Sequence, residues 1–150
     1  MTEPERTLAD ATNILLVDWP SQDVPRALLE SEFTVFGYSP HRYSTAELVE
    51  SEPHDTEDKS VFPPRDDNDI GHLVFRPFEG KPESIDVVYA YRPDDELPGI
   101  IERHVKPLGA SVLWLHPSAN SEVGTRLGAE HDIVVVKGAD IAAAARSLRG

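Results

Sequence analysis

The chain has 150 residues, enough for one domain that spans residues 1–150 around a single core. Its net charge of −13 repels polyanions, which argues against nucleic acid and anionic membranes as partners. The absence of cysteine excludes disulfides and thiolate metal sites. Because the acidic N-terminus also lacks the basic start of a signal peptide, we expect a soluble, cytoplasmic protein.

The first predicted unit runs strand, turn, helix, strand over residues 13–40. Residues 14–17 are an unbroken apolar run, typical of a strand buried on both faces of a sheet. Residues 24–29 carry apolar side chains at helical spacing, and residues 33–38 return as a strand. A crossover this short favours a parallel, right-handed pair of strands.

Acidic residues and prolines dominate residues 41–70, which we interpret as an exposed acidic insertion. Within it, residues 44–49 are expected to form a helical turn capped by Ser44 or Thr45. The insertion is either a solvated loop or a lid over a ligand site.

The rest of the chain alternates strands with helices. Strands are predicted at residues 72–75, 85–91, 112–115 and 133–136. Helices are predicted over residues 94–105 with an Asp94 or Asp95 cap, from Ser118 onward, and over residues 139–148 with an Asp140 cap. This order predicts a doubly wound α/β fold, with a mainly parallel sheet and helices on both faces.

In such a sheet, ligands bind beyond the carboxyl ends of the strands, where the strand order reverses. Four segments of the chain should meet there. They are Asp18, Trp19, Pro20, Ser21 and Gln22; Tyr38, Ser39, Pro40 and His41; Tyr91, Arg92 and Pro93; and His116, Pro117, Ser118, Ala119 and Asn120.

Several of these segments resemble the small CoA-binding domain proteins, whose Rossmann-like domain also forms the N-terminal part of the succinyl-CoA ligase alpha subunit. The resemblance covers roughly residues 13–40 and 84–141. It is carried by Val24, Leu28, Phe33, Val35 and Tyr38-Ser39-Pro40, by Asp86 through Arg92, and by Trp114-Leu115-His116. It implies binding of CoA, acyl-CoA or a related nucleotide, without catalysis, at the carboxyl edge of the sheet.

The resemblance also implies roles for individual residues. Trp19 would contact the base, Ser21 and Gln22 would meet phosphate, Ser39 and Pro40 would flank the adenosine, and Arg92 would neutralise charge. Where the family has Gly-x-Ser after the first strand, this chain has Asp18-Trp19-Pro20-Ser21. The Asp18 carboxylate would repel a pyrophosphate, and Pro20 removes a backbone N–H that could bind one.

Each candidate residue also has a structural interpretation. Arg92 could bind phosphate or pair with Asp94, Asp95 or another acid. Trp19 could stack on a base or fill an empty site. Ser21 and Gln22 could bind an anion or only cap their helix. Trp114, inside a predicted strand, is interpreted as a core residue.

Other functions remain open. His116 and Asp18 could serve acid–base chemistry, or bind a metal together with His41. Asp18 also ends a strand that resembles the opening of a phospho-receiver domain, although the phosphoacceptor is missing, so a pseudo-receiver is a further alternative. A family member without ligand could instead act as a scaffold for a protein partner, and the chain could also form a homodimer, by analogy with related small domains.

Overall fold

We analysed a computed structural model that describes residues 2–38, 42–53 and 60–149. In chain order the helices are α1 (Glu3–Ala9), α2 (Asp23–Glu30), α3 (Leu97–Ile100), α4 (Ser121–His131) and α5 (Ile141–Arg149). The strands are β1 (Asn13–Val17), β2 (Thr34–Tyr38), β3 (Tyr43–Val49), β4 (Val61–Phe62), β5 (His72–Phe78), β6 (Val87–Ala90), β7 (Val112–Leu115) and β8 (Val134–Val136).

All eight strands form one sheet in the order β4-β5-β3-β2-β1-β6-β7-β8. The pairs β2–β1, β1–β6, β6–β7 and β7–β8 are parallel, whereas β3 pairs antiparallel with β2 and β5. The strand order reverses at β1, because the chain moves to β2 on one side and later returns to β6 on the other. This is the doubly wound α/β fold that the sequence predicted.

Helices cover both faces of the sheet and enclose two buried clusters. One cluster joins α1, α2 and α5 to the sheet and includes Leu8, Leu28 and Trp114. The other joins α3 and α4 to the opposite face and includes Ile101 and Leu127. Trp114 is fully buried, and its indole N–H donates to the carbonyl of Ala139 at 2.9 Å, so it is a core residue as predicted.

The prediction of a helical turn at residues 44–49 was wrong, because β3 occupies that segment. Its seven residues pair in register with β5, from Tyr43 opposite Phe78 to Val49 opposite His72. Such pairing depends on residues about thirty positions away, and local composition does not contain it. The interpretation of residues 41–70 as an exposed insertion therefore missed two strands, β3 and β4, while residues 41 and 54–59 lie outside the described part of the chain.

Two helix starts also differ from prediction. Residues 94–105 contain a 3-10 turn (Asp94–Glu96), α3 and a π-helical turn (Ile101–Val105), and neither Asp94 nor Asp95 provides a cap for the 3-10 turn or for α3. Helix α4 begins at Ser121 because the Asn120 side chain, rather than Ser118, accepts the first free N–H groups. The Asp140 cap was predicted correctly, since its carboxylate accepts the N–H of Ala142 at 2.9 Å.

One helix, α1, was not foreseen; Thr2 caps it and Leu8 anchors it in the core. Within the described ranges, no helix is both long and apolar enough to cross a bilayer.

Candidate functional site

The turn after β1 adopts a conformation that its own side chain stabilises. Asp18 has a φ of 64°, in the left-handed region that aspartate enters more readily than most residues. One carboxylate oxygen of Asp18 accepts the N–H of Trp19 at 2.9 Å, and the other lies 3.1 Å from Nη1 of Arg92. The turn is thus held by Asp18 in place of the glycine found in the resembling family.

Arg92 lies between two carboxylates. Its guanidinium contacts Glu96 through two N–H groups, at 3.1 and 2.7 Å, and contacts Asp18 through a third. The hydrogen bonds that Arg92 donates to Glu96, and then to Asp18, raise the pKa of Arg92. The predicted alternative of an ion pair is therefore realised, with Asp18 and Glu96 as partners. An incoming phosphate would compete with these carboxylates for the guanidinium.

The indole of Trp19 stacks on the ring of Phe75, with centroids 4.8 Å apart and planes 14° from parallel. Gly37 on β2 makes room for this stack, because a Cβ there would lie 3.3 Å from Trp19 and 3.2 Å from Phe75. Trp19 is half-buried and packs against the core cluster of α2 and the sheet. One face of the ring is therefore already used by the protein.

Ser21 and Gln22 make their contacts inside α2. The Ser21 hydroxyl accepts the N–H of Asp23 at 3.2 Å, and Oε1 of Gln22 accepts Nε–H of Arg26 at 3.0 Å. Pro20 is exposed between them and Trp19. The two polar side chains thus lie at the start of α2 as predicted, with a hydrogen-bond partner for each.

Tyr91 and His116 follow neighbouring strands and come together at the carboxyl edge. Their rings meet edge to face with centroids 5.0 Å apart, and Nδ1 of His116 hydrogen-bonds the Ser118 hydroxyl at 2.8 Å. Asp18, the predicted acid–base partner of His116, is paired with Arg92 instead. No group of three potential metal ligands occurs within the described residues, and His41, proposed as a ligand, lies outside them, as do Ser39 and Pro40.

A cavity of about 480 Å³, which sequence reasoning missed, lies at the carboxyl ends of β2 and β5. We call it the basic cavity. Its lining includes Tyr38, Arg42, Tyr43, Lys81, Arg103 and His104, and none of the described residues that line it is acidic. Only Tyr38 among these was a predicted site residue. The available signal was that Arg42 and Lys81 closely follow two strand ends that share one edge of the sheet.

Two buried side chains form the floor of the basic cavity. The Tyr43 hydroxyl and Nδ1 of His104 are 2.7 Å apart, and the ring centroids of Tyr38 and His104 are 4.4 Å apart. Burial, followed by the charges of Arg103 and Lys81, lowers the pKa of His104 to about 4, so its imidazole is neutral near neutral pH. Burial also raises the pKa of the Tyr43 hydroxyl.

A larger cavity, of about 740 Å³, lies at the opposite, amino edge of the sheet. Thr12 and Phe33, which precede β1 and β2, line it together with Glu30 and Glu32. Among the described residues its lining has two carboxylates and no cation, which does not suit a phosphate-bearing ligand. Size alone therefore does not identify the site.

The sequence was compared with models of known protein families. A model described as a CoA binding domain matches residues 17–143. The chain belongs to this family. The matched range begins at the end of β1 and includes Asp18, Arg92, His116 and the whole lining of the basic cavity.

A solved structure supports the fold of this CoA-binding-domain family member. The chain is similar to a Thermus thermophilus protein described as cell-free ID.343, with a TM-score of 0.59 and 17% identity over 97% of this chain and 96% of that one. At this identity the likeness shows the fold alone. A search of curated proteins gave no significant match.

Proposed function

We propose that this protein binds CoA, acyl-CoA or a related nucleotide at the carboxyl edge of its sheet and does not catalyse a reaction on it. The family membership supports a CoA-related ligand. The observation that carries the location is that the ends of β1, β6 and β7 meet where the strand order reverses, with the half-exposed Arg92 cation at that point.

In this proposal the ligand phosphates lie near the start of α2, beside Ser21 and Gln22, and Arg92 neutralises their charge. Arg92 exchanges its contact with Asp18 for a phosphate oxygen and keeps Glu96, which holds it by two hydrogen bonds. Trp19 offers a ring to the base while Phe75 supports its other face. Ser39 and Pro40 flank the adenosine, as the family resemblance implies.

Replacing Asp18 with asparagine is expected to tighten CoA binding by about tenfold, because it removes a carboxylate that competes with phosphate for Arg92. Asparagine adopts the left-handed conformation readily and retains an oxygen for the Trp19 N–H. Isothermal titration calorimetry measures the change. Repeating the substitution in an Arg92→Gln background should abolish most of the gain, since the competition acts through Arg92.

Asp132→Asn is the matched control for this experiment. Asp132 has a φ of 53°, is exposed, and follows α4 at the far end from the turn after β1. The control changes the same charge in the same backbone conformation, so CoA affinity should stay within about twofold of the parent. Equal affinities of the Asp18→Asn and Asp132→Asn proteins would remove Asp18 and Arg92 from the proposed site.

A ligand-free scaffold is the second candidate, and a specific observation favours it. The turn that should bind phosphate is internally satisfied, with Arg92 paired to Asp18 and Trp19 stacked on Phe75. Mass spectrometry of small molecules released from the purified protein discriminates the two. A released CoA species supports binding, whereas no nucleotide and no calorimetric response to millimolar CoA supports the scaffold.

A further inference from the structure

The basic cavity concentrates positive charge in a strongly acidic protein. Of 14 lysines and arginines in a chain with a net charge of −13, three line this one cavity: Arg42, Lys81 and Arg103. They come from three separate parts of the chain, namely the start of β3, the loop after β5 and the π-helical turn after α3. A cavity of this volume falls within the range of small-molecule sites.

The cations form an exposed rim above the buried floor. Arg42, Lys81 and Arg103 are exposed, whereas Tyr43 and His104 are 6% and 5% exposed. Because the side chains of Tyr43 and His104 form a hydrogen bond with each other, the floor is pre-formed. Aromatic rings below and cations above suit a ligand that carries both an aromatic ring and an anionic group.

Within the described ranges, no carboxylate lies close enough to the rim cations to form an ion pair with them. Neither Arg42 nor Lys81 forms an ion pair there, and Nε of Arg103 donates to the carbonyl of Gly99 at 3.3 Å. The charges of Arg103 and Lys81 reach the floor, since both lower the pKa of His104. A bound anion would be attracted by these cations.

The basic cavity and the turn after β1 belong to one continuous edge. The hydrogen bond from Arg92, and to a lesser extent the charge of Arg103, lowers the pKa of Glu96. Glu96 pairs with Arg92, which also contacts Asp18. Tyr38 ends β2, the strand next to β1, and lines the cavity. Both places therefore lie along the carboxyl edge of the same sheet.

We propose that the basic cavity binds a phosphate monoester of the nucleotide, the group that CoA carries on its ribose and that dephospho-CoA lacks. This inference rests on the proposed function, and it states which phosphate group of the ligand the basic cavity would bind. A phosphate monoester carries close to two negative charges at neutral pH, and hydrogen bonds between such a group and lysine or arginine are among the stronger ones in proteins.

Calorimetric titrations with CoA and with dephospho-CoA test the proposal. The parent protein should bind CoA at least about tenfold more tightly, and Lys81→Met should remove most of that preference by weakening CoA alone. Lys106→Met is the matched control, because Lys106 is an exposed cation paired with Glu102 outside the cavity, and its loss should change either affinity by less than about twofold. Equal affinities of the parent for the two ligands, or equal weakening of both by Lys81→Met, would overturn the proposal.

A smaller probe separates this proposal from the proposed function. If neither CoA nor dephospho-CoA binds, the proposed function fails, and adenosine 3′,5′-bisphosphate then tests the cavity by itself. Binding that shifts the NMR signals of the His104 imidazole and that Lys81→Met weakens supports the cavity as a phosphate site. No binding of this probe, or binding that Lys81→Met and Lys106→Met affect equally, overturns it.

Discussion

Replacing Arg26 with methionine is expected to destabilise the fold by about 3 to 5 kcal/mol, the usual cost of removing one partner from a buried polar network. Arg26 is 1% exposed, and its guanidinium donates to the carbonyls of Phe62, Pro63 and Gly71 at 3.0 to 3.2 Å. Its Nε also lies 3.6 Å from the Asp69 carboxylate. The substitution leaves three carbonyls without this donor.

Urea unfolding followed by circular dichroism measures the effect, with Arg146→Met as the control. Arg146 is also an arginine that contacts α2, through Asp23, but its side chain is 42% exposed. Exposed ion pairs contribute little, so the control should lose less than about 1 kcal/mol. If both variants lost the same free energy of unfolding, Arg26 would not be the main attachment of residues 61–71 to α2.

The second large effect is a loss of stability in mild acid that depends on His104. The pKa of His104 falls from 6.5 to about 4 on folding, chiefly through burial. Above pH 6.5 the imidazole is neutral in both states. As the pH falls from there toward 4, only the unfolded chain binds the proton, so the folded state loses about 3 kcal/mol of relative stability.

Urea unfolding of the parent and of His104→Asn from neutral pH to about pH 4 isolates this effect. The pKa values of Asp23, Glu96 and Glu102 are also lowered. Their contribution to the dependence of stability on pH is the same in both proteins. At neutral pH the variant should be less stable than the parent, since it leaves space beside Tyr43. The difference between their free energies of unfolding should become smaller as the pH falls. If the difference between the two free energies of unfolding were the same at every pH, His104 would not titrate with a lowered pKa.

Much of the fold could be predicted because its parallel strands are apolar runs. Residues 14–17 and 112–115 are buried at every position, so composition alone indicated central strands. Strand β3 could not be predicted in this way. Ala46 is buried while Glu47 is exposed, and the acid-rich surroundings hid this alternation. The burial of Arg26 was also not predicted. A charged side chain on α2 is expected to face solvent, and the sequence does not show that carbonyls distant along the chain accept its hydrogen bonds.

The sequence predicted which side chains lie at the carboxyl edge of the sheet, but not the contacts that they make with one another. The rule that ligands bind at strand carboxyl ends correctly gathered Asp18, Arg92, Tyr91 and His116 at one edge. It could not show that Arg92 binds Asp18, 74 residues earlier, because that contact depends on the rotamers of both side chains. Lys81 and Arg103 were missed because the loop after β5 and a π-helical turn bring them together in the basic cavity, and no local sequence pattern indicates that meeting.

The most direct test of CoA binding at the carboxyl edge is a titration of the ¹⁵N-labelled protein with CoA, followed by NMR. We expect backbone signals to shift for residues 18–22, for Tyr91, Arg92 and His116, and around Lys81 and His104 in the basic cavity. Signals of Thr12 and Phe33, which line the amino-edge cavity, should remain in place. Unchanged spectra at millimolar CoA, or shifts confined to the amino edge, would contradict the account.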